Sequence, residues 1–254
     1  MANVTETVEG AESHAGGDDH DEHHDAHPAF LQHHFDTPAQ QFDASKLGMW
    51  VFIATEILMF GGLFVAYGIF RASDAEVFFA AHKMLDKQMG ALNTIVLLFS
   101  SLTAALAVRS AQTGKRQMTS IYLVITIACA GIFLVVKYFE YTHKLHDGLL
   151  PGHCFGHPWF GNNCLEHGAA TAVPLSVEGL PPRANMFFAL YFAMTGLHGL
   201  HVILGMSILV WVLIKNIKGQ FSPAYFTHVD LGALYWHLVD LVWIYLFPLL
   251  YLVG

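Results

Sequence analysis

Five apolar runs of about twenty residues or more decide what this chain can become. They lie at about 47–70, 89–108, 121–141, 185–214 and 231–253. A helix needs roughly 20 apolar residues to cross the ~30 Å hydrocarbon core of a bilayer, so each run is long enough to span one. Charged residues make up only 13% of the chain, against about 25% in a soluble domain. A water-soluble core is the weaker reading, because single runs exceed 20 residues. The expected fold is all-α: a polytopic membrane helix bundle with five transmembrane helices.

The net charge of -8 belongs to one end of the chain. Residues 1–45 hold ten acids and no Lys or Arg, and the remainder holds twelve bases against ten acids. Nothing forms a basic patch, which excludes nucleic acid as a partner. Residues 1–29 read as a disordered tail rich in His, Asp and Glu, with the helical domain covering 30–254. The tail is either a solvated acidic segment or a His tract for metal. No signal peptide is expected, since the tail has neither a basic nor an apolar leader region. His33 to Ser45 is expected to run along the membrane surface as a lead-in.

Each run carries a feature of its own. In the first, Gly48, Thr55 and Gly62 recur every seven residues, a small-residue face suited to close helix packing. The segment Arg71–Gln88 is expected as a polar loop. Asn93, Ser100 and Ala104 give the second run a packing face, and Cys129 in the third reads as a small core residue. Lys137 and Glu140 are expected to pair at i,i+3 or to snorkel to the interface. Residues 142–184 form the longest loop, with five histidines (143, 146, 153, 157, 167) and both Cys154 and Cys164. The histidines follow no ligand spacing and are expected to be exposed. Tyr191, Thr195, His198 and Gly205 share one stripe of the fourth run, and Pro248 should kink the end of the fifth.

The short loops 109–120 and 215–230 hold five Lys or Arg, and the two other loops hold five over about twice the length. The positive-inside rule then places the short loops and the amino terminus in the cytoplasm, and the carboxyl terminus and cysteine loop outside. In an oxidising compartment, Cys154 and Cys164 are candidates for a disulfide.

Ionisable residues at membrane depth are the functional clue: Glu56, His198, His201, His237 and Asp240. Glu56 lies nine residues into its run, about 14 Å along a helix. His237 and Asp240 share one helix face. Such groups are costly in lipid and should face protein. Glu56 is expected to hydrogen-bond a neighbouring helix through His198 or Asp240. Three roles fit the set. Hydrogen bonds could fix helix register, acids and histidines could form a proton path, or His198 and His237 could ligate haem.

These residues also carry a family pattern. Lys46-Leu-Gly-Met-Trp-Val-Phe-Ile-Ala-Thr-Glu56, Phe60-Gly-Gly-Leu-Phe and Phe139-Glu-Tyr141 are followed by Thr195-Gly-Leu-His198-Gly-Leu-His201-Val-Ile-Leu-Gly205. Tyr235-Trp236-His237-Leu-Val-Asp240-Leu-Val-Trp243 completes the set. Over roughly residues 30–254 the chain resembles subunit III of the haem–copper oxidases, in the five-helix bacterial form that lacks two amino-terminal helices. The resemblance implies a non-catalytic subunit with no redox centre and no metal of its own, in a bacterial inner (plasma) membrane. Haem and copper would sit in partner subunits. It would pack directly on subunit I, with subunit II in the complex, hold phospholipid between its helices and support proton uptake by subunit I. The family's buried glutamate corresponds to Glu56, and its helix-packing residues to His198, His201, His237 and Asp240, with Trp236 in the same piece. Cytochrome c is favoured as donor. The alternatives are an accessory protein of a quinol oxidase or nitric oxide reductase and, from another class, a membrane cytochrome b.

Overall fold

A computed structural model describes residues 31–32, 35–151, 183–223 and 225–252. The acidic tail, Cys154, Cys164 and three of the loop histidines lie outside those residues. Helix α1 runs Pro38–Ser73, α2 Ala75–Ala81, α3 Lys87–Gln112, α4 Arg116–His146, α5 Ala184–Ile217 and α6 Thr227–Phe247. Five of these are long and apolar enough to cross a membrane, as the runs predict, with the last counted to Leu252.

The helices overrun the apolar runs at most ends because local chemistry starts them early. Thr37 accepts the N–H of Gln40 at 3.2 Å, and Pro38 sits in the first turn. Capping and a preset φ nucleate the helix there, so residues from Pro38 onward belong to α1 rather than to a separate surface lead-in. Asp86 caps α3 in the same way, accepting from the N–H groups of Gln88 and Met89. Between α1 and α3 the expected polar loop is corrected to α2 and a single 3₁₀ turn, His82–Met84. Phe78 explains the difference. Its ring is buried edge-on between Tyr67 and Phe187, at 5.2 and 5.3 Å, so α2 plugs the gap between α1 and α5.

Helices α3 to α6 form the body. α3 packs on α4 and α6, α5 on α4 and α6, and α1 leans on α6 and α5 from outside. In lipid, such contacts rest on close packing and interhelical hydrogen bonds, each bond contributing about 0.6 kcal/mol. Hydroxyl pairs Thr103–Thr126 and Ser110–Thr119, both 2.8 Å, fix the α3–α4 hairpin. Asn216 donates to the Arg116 carbonyl and to Ser120, and Arg116 donates to the carbonyls of Asn216 and Ile217. α5 and α6 cross closely at Gly205, where a Cβ would stand 3.0 Å from the rings of both Trp236 and Tyr235.

The small-residue face expected on α1 points the wrong way for packing inside this chain. Thr55 and Gly62 are exposed, and a Cβ on Gly48 or Gly62 would meet nothing within 4 Å. The buried stripe is Ile53, Phe60 and Tyr67, offset from it but with the same seven-residue spacing. Bulky residues suit α1's shallow contact with α5 and α6, which closely approaching backbones would not. At Pro248, where a kink was expected, the α-helix gives way to a π turn, Pro248–Leu252. Tyr67 donates to a carbonyl of that turn, Leu249 O, at 2.9 Å.

Candidate functional site

The polar residues of the interior divide into three groups by their partners. The first joins α1 to α5. Glu56 Oε2 lies 2.9 Å from Nε2 of His201, not beside His198 or Asp240, which corrects its expected partner. Periodicity places His198 and His201 on adjoining parts of α5, and only packing shows that His201 is the one turned toward α1. His201 Nδ1 donates to the carbonyl of Leu197 at 2.7 Å. That fixes its proton on Nδ1, so a single further proton lies between Nε2 and the Glu56 carboxyl, carried by either partner. Phe60 sets its ring edge-on to His201 at 5.3 Å, and Tyr235 donates to the His201 carbonyl. The side chains of the pair keep only 11% and 14% of their exposure.

The second group fills the four-helix interior. His198 is 1% exposed and sits between Phe133 and Trp243, with ring centroids 5.5 and 5.3 Å away. His237 turns to α3 instead, where its Nδ1 is 2.7 Å from Ser101 Oγ. Trp236 donates to Ser100 at 2.8 Å and Trp243 to Thr94 at 3.1 Å. Asp240 is buried near Ser101 and Cys129, with neither carboxyl oxygen in hydrogen-bond geometry. His198 and His237 thus take their contacts from different helices, α4 and α3. Cys129 is buried, as expected of a core residue. No group of three or more metal-ligating side chains occurs among the described residues.

The third group is the one sequence reasoning saw only in part. Lys137 and Glu140 do pair, at 2.7 Å, but they are buried rather than snorkelling. Lys144 joins them on the same carboxylate at 2.9 Å. Tyr191 and Tyr251 donate to Glu140 Oε1 at 2.9 and 2.6 Å, and Lys137 also donates to Tyr251 at 2.8 Å. The spacing Lys137-x-x-Glu140-x-x-x-Lys144 was visible on one helical face. The two tyrosines were not, because Tyr191 meets Glu140 only where α5 packs on α4 and Tyr251 only through the π turn after Pro248. His143 and His146, placed in the long loop by sequence, belong to the last turn of α4.

The pieces of the pattern quoted above lie on four helices, α1, α4, α5 and α6, and meet in this interior. A sequence profile described as cytochrome c oxidase subunit III matches residues 29–155 and 183–254. The chain belongs to the cytochrome c oxidase subunit III family. Among its relatives is the Heme-copper oxidase subunit I+III of Aeropyrum pernix, 30% identical over 220 residues. That match takes in 83% of this chain but only 23% of the longer protein. The Quinol oxidase subunit 3 of Bacillus spizizenii is 25% identical, covering 82% of this chain and 86% of the relative. The Cytochrome bo(3) ubiquinol oxidase subunit 3 of Pseudomonas putida is 26% identical, with 82% and 85% covered. As a subunit III, the chain is an accessory membrane subunit of a haem–copper oxidase.

Proposed function

We propose that this subunit packs beside subunit I of its oxidase, with subunit II in the same complex, and keeps subunit I stable and supplied with protons. The reading places the haem and copper in those partners and none in this chain. It puts the complex in a bacterial inner membrane, with the amino terminus cytoplasmic and the carboxyl terminus outside. The observation that carries it is the Glu56–His201 pair. It joins α1 to the four-helix body across a lipid-facing gap, where the family's sequence pattern is densest. Its role in this reading is to hold α1 in place and preserve the shape of the groove that Ile57, Phe60 and Phe64 of α1 form with Leu241 and Tyr245 of α6, where phospholipid can lie.

Cytochrome c as electron donor is part of the proposal. Quinol is the second reading, favoured by relatives named as quinol oxidases. Both readings are tested by purifying the complex through a tag on this chain. Copurification of a haem-bearing subunit with oxygen consumption is the expected result, and a CuA spectrum in subunit II selects cytochrome c over quinol. A Soret band that stays with the isolated chain in stoichiometric amount would overturn the reading.

A further inference from the structure

No stretch of the sequence is a basic patch, but the fold gathers five cations at one end of the bundle. That end is formed by the start of α1, the α3–α4 turn, the end of α5 and the start of α6. Lys46 of α1 pairs with Asp230 of α6 at 3.1 Å, and the Phe42 and Phe226 rings pack at 5.7 Å. A Cβ on Gly114, in the α3–α4 turn, would stand 3.1 Å from Pro223 of the α5–α6 loop. Arg109, Lys115, Arg116 and Lys218 are exposed there, and Lys215 is half-buried with its ammonium over the Trp211 ring.

The Lys and Arg side chains paired with carboxylates among the described residues are Lys46, Lys137, Lys144 and Arg183. None of the five cations is among them. Asp36 and Asp43, at the start of α1, form no ion pair with them either. The opposite end carries acids of its own, Asp74, Glu76, Asp86 and Asp147, among its bases. Arg109 and Lys115 border a hollow of about 310 Å³ together with Ser110, Thr113 and Tyr122. A rim of two cations and three hydroxyl side chains suits a carboxylate.

The complementary charge is in the same chain and enters at the same end. Residues 1–30 hold eight acids and no Lys or Arg, and they lead into α1. Asp18, Asp19, Asp21, Glu22 and Asp25 fall within eight residues. We propose that residues 18–25 dock on this basic end, with carboxylates at Arg109 and Lys115 in the α3–α4 turn and at Lys218. α1 packs on α6 and α6 on α3, so the turn lies two helix spacings from the start of α1, roughly 20 Å. Asp25 precedes Pro38 by thirteen residues and Asp18 by twenty, and coils of those lengths span about 20–25 Å. A tether this short presents its carboxylates at roughly millimolar effective concentration, which a soluble acidic partner would have to exceed. Docked there, the segment ties α1, which touches the body only shallowly, across α6 to the α3–α4 hairpin. The proposal rests on neither the electron donor nor the compartment this end faces.

The test is zero-length coupling of carboxylates to amines by a carbodiimide in the purified oxidase complex, read by mass spectrometry of the crosslinked peptides. Lys46–Asp230 is the internal control, since those groups already touch. At low salt, acids of residues 18–25 should couple to Lys115 and Lys218, and not to Lys83 or Lys87 at the opposite end. At about 1 M salt, where the Debye length is about 3 Å, the tail couplings should fall at least about fivefold while Lys46–Asp230 changes little. Arg109→Gln removes a neighbouring charge but no coupling site, and should lower the Lys115 yield about two- to fivefold, the scale of one exposed ion pair. Four results would overturn the assignment: the Lys46–Asp230 product with none from the tail, tail coupling indifferent to salt or to Arg109→Gln, tail coupling only to lysines of another subunit, or its suppression by equimolar phosphatidylglycerol. The last would give these cations to lipid phosphates.

Discussion

Replacing Glu140 by Gln is the severest single test of how the interior is held together. The carboxylate is 2.7 Å from one ammonium and 2.9 Å from the other. At an effective dielectric of about 20, each contact has a gross Coulomb energy of about 6 kcal/mol. Most of that offsets the cost of removing three charges from water, so the gross figure is not the expected loss. Glutamine, however, leaves two buried ammoniums facing each other with no anion, and breaking a buried ion pair in this way costs roughly 3–5 kcal/mol. Lys137→Met is the control, because it leaves Glu140 paired with Lys144 and bonded by two tyrosines. It removes two charged hydrogen bonds, to Glu140 and Tyr251, but also the cost of burying one of the two ammoniums, so the net loss is about 1.5–3 kcal/mol. The assay is reversible unfolding of the purified chain in mixed micelles by a denaturing detergent. Glu140→Gln should unfold at clearly lower denaturant than Lys137→Met. If the two midpoints coincide, or if the order reverses, the carboxylate is not what neutralises this cluster.

Glu56→Gln keeps a side chain able to donate to His201 Nε2, so assembly should survive at a cost below about 1 kcal/mol, whereas Glu56→Leu strands that nitrogen and should cost about 1–3 kcal/mol. Oxygen consumption by the assembled Glu56→Gln complex should stay within about twofold of the parent if the pair positions helices, which is a loss of less than ~0.5 kcal/mol in barrier; immediate and complete loss of turnover would place Glu56 on a proton route instead. Gly205→Ala forces a methyl against Trp236 and Tyr235 and should destabilise by about 1–3 kcal/mol, while Gly199→Ala in the same helix should be neutral or slightly stabilising; equal effects would refute the close α5–α6 crossing. Reporter fusions at Gln112 and at the carboxyl terminus should report opposite compartments, and agreement between them would refute the proposed topology. Cys154 and Cys164 should resist alkylation until reduced, as read by mass spectrometry without reductant.

Much of the architecture was legible in the chain itself. Length and hydropathy determined five spanning helices, because lipid tolerates little else in a run of twenty apolar residues. The i,i+3 relation of Lys137 and Glu140 and the shared stripe of Tyr191, Thr195, His198 and Gly205 are local consequences of 3.6 residues per turn. Thr37, Pro38 and Asp86 start α1 and α3 by local chemistry, which the readings of 33–45 as a surface lead-in and 71–88 as a loop passed over. Family membership was legible for the same reason: its pattern is carried by short contiguous pieces.

Tertiary structure alone decided which faces met. Periodicity gives each helix a polar stripe but not the rotation of one helix against another, so Glu56 could have faced His198, Asp240 or His201. The packing of Phe60 and Tyr235 around His201 chose the last. The seven-residue spacing on α1 likewise fits two stripes, and the large residues rather than the small ones turned inward because α1 touches the body only shallowly. The arrival of Tyr251 at Glu140 depends on a π turn that shifts register after Pro248. A local pattern cannot encode that shift, since its effect appears only where the end of α6 meets α4 and α5.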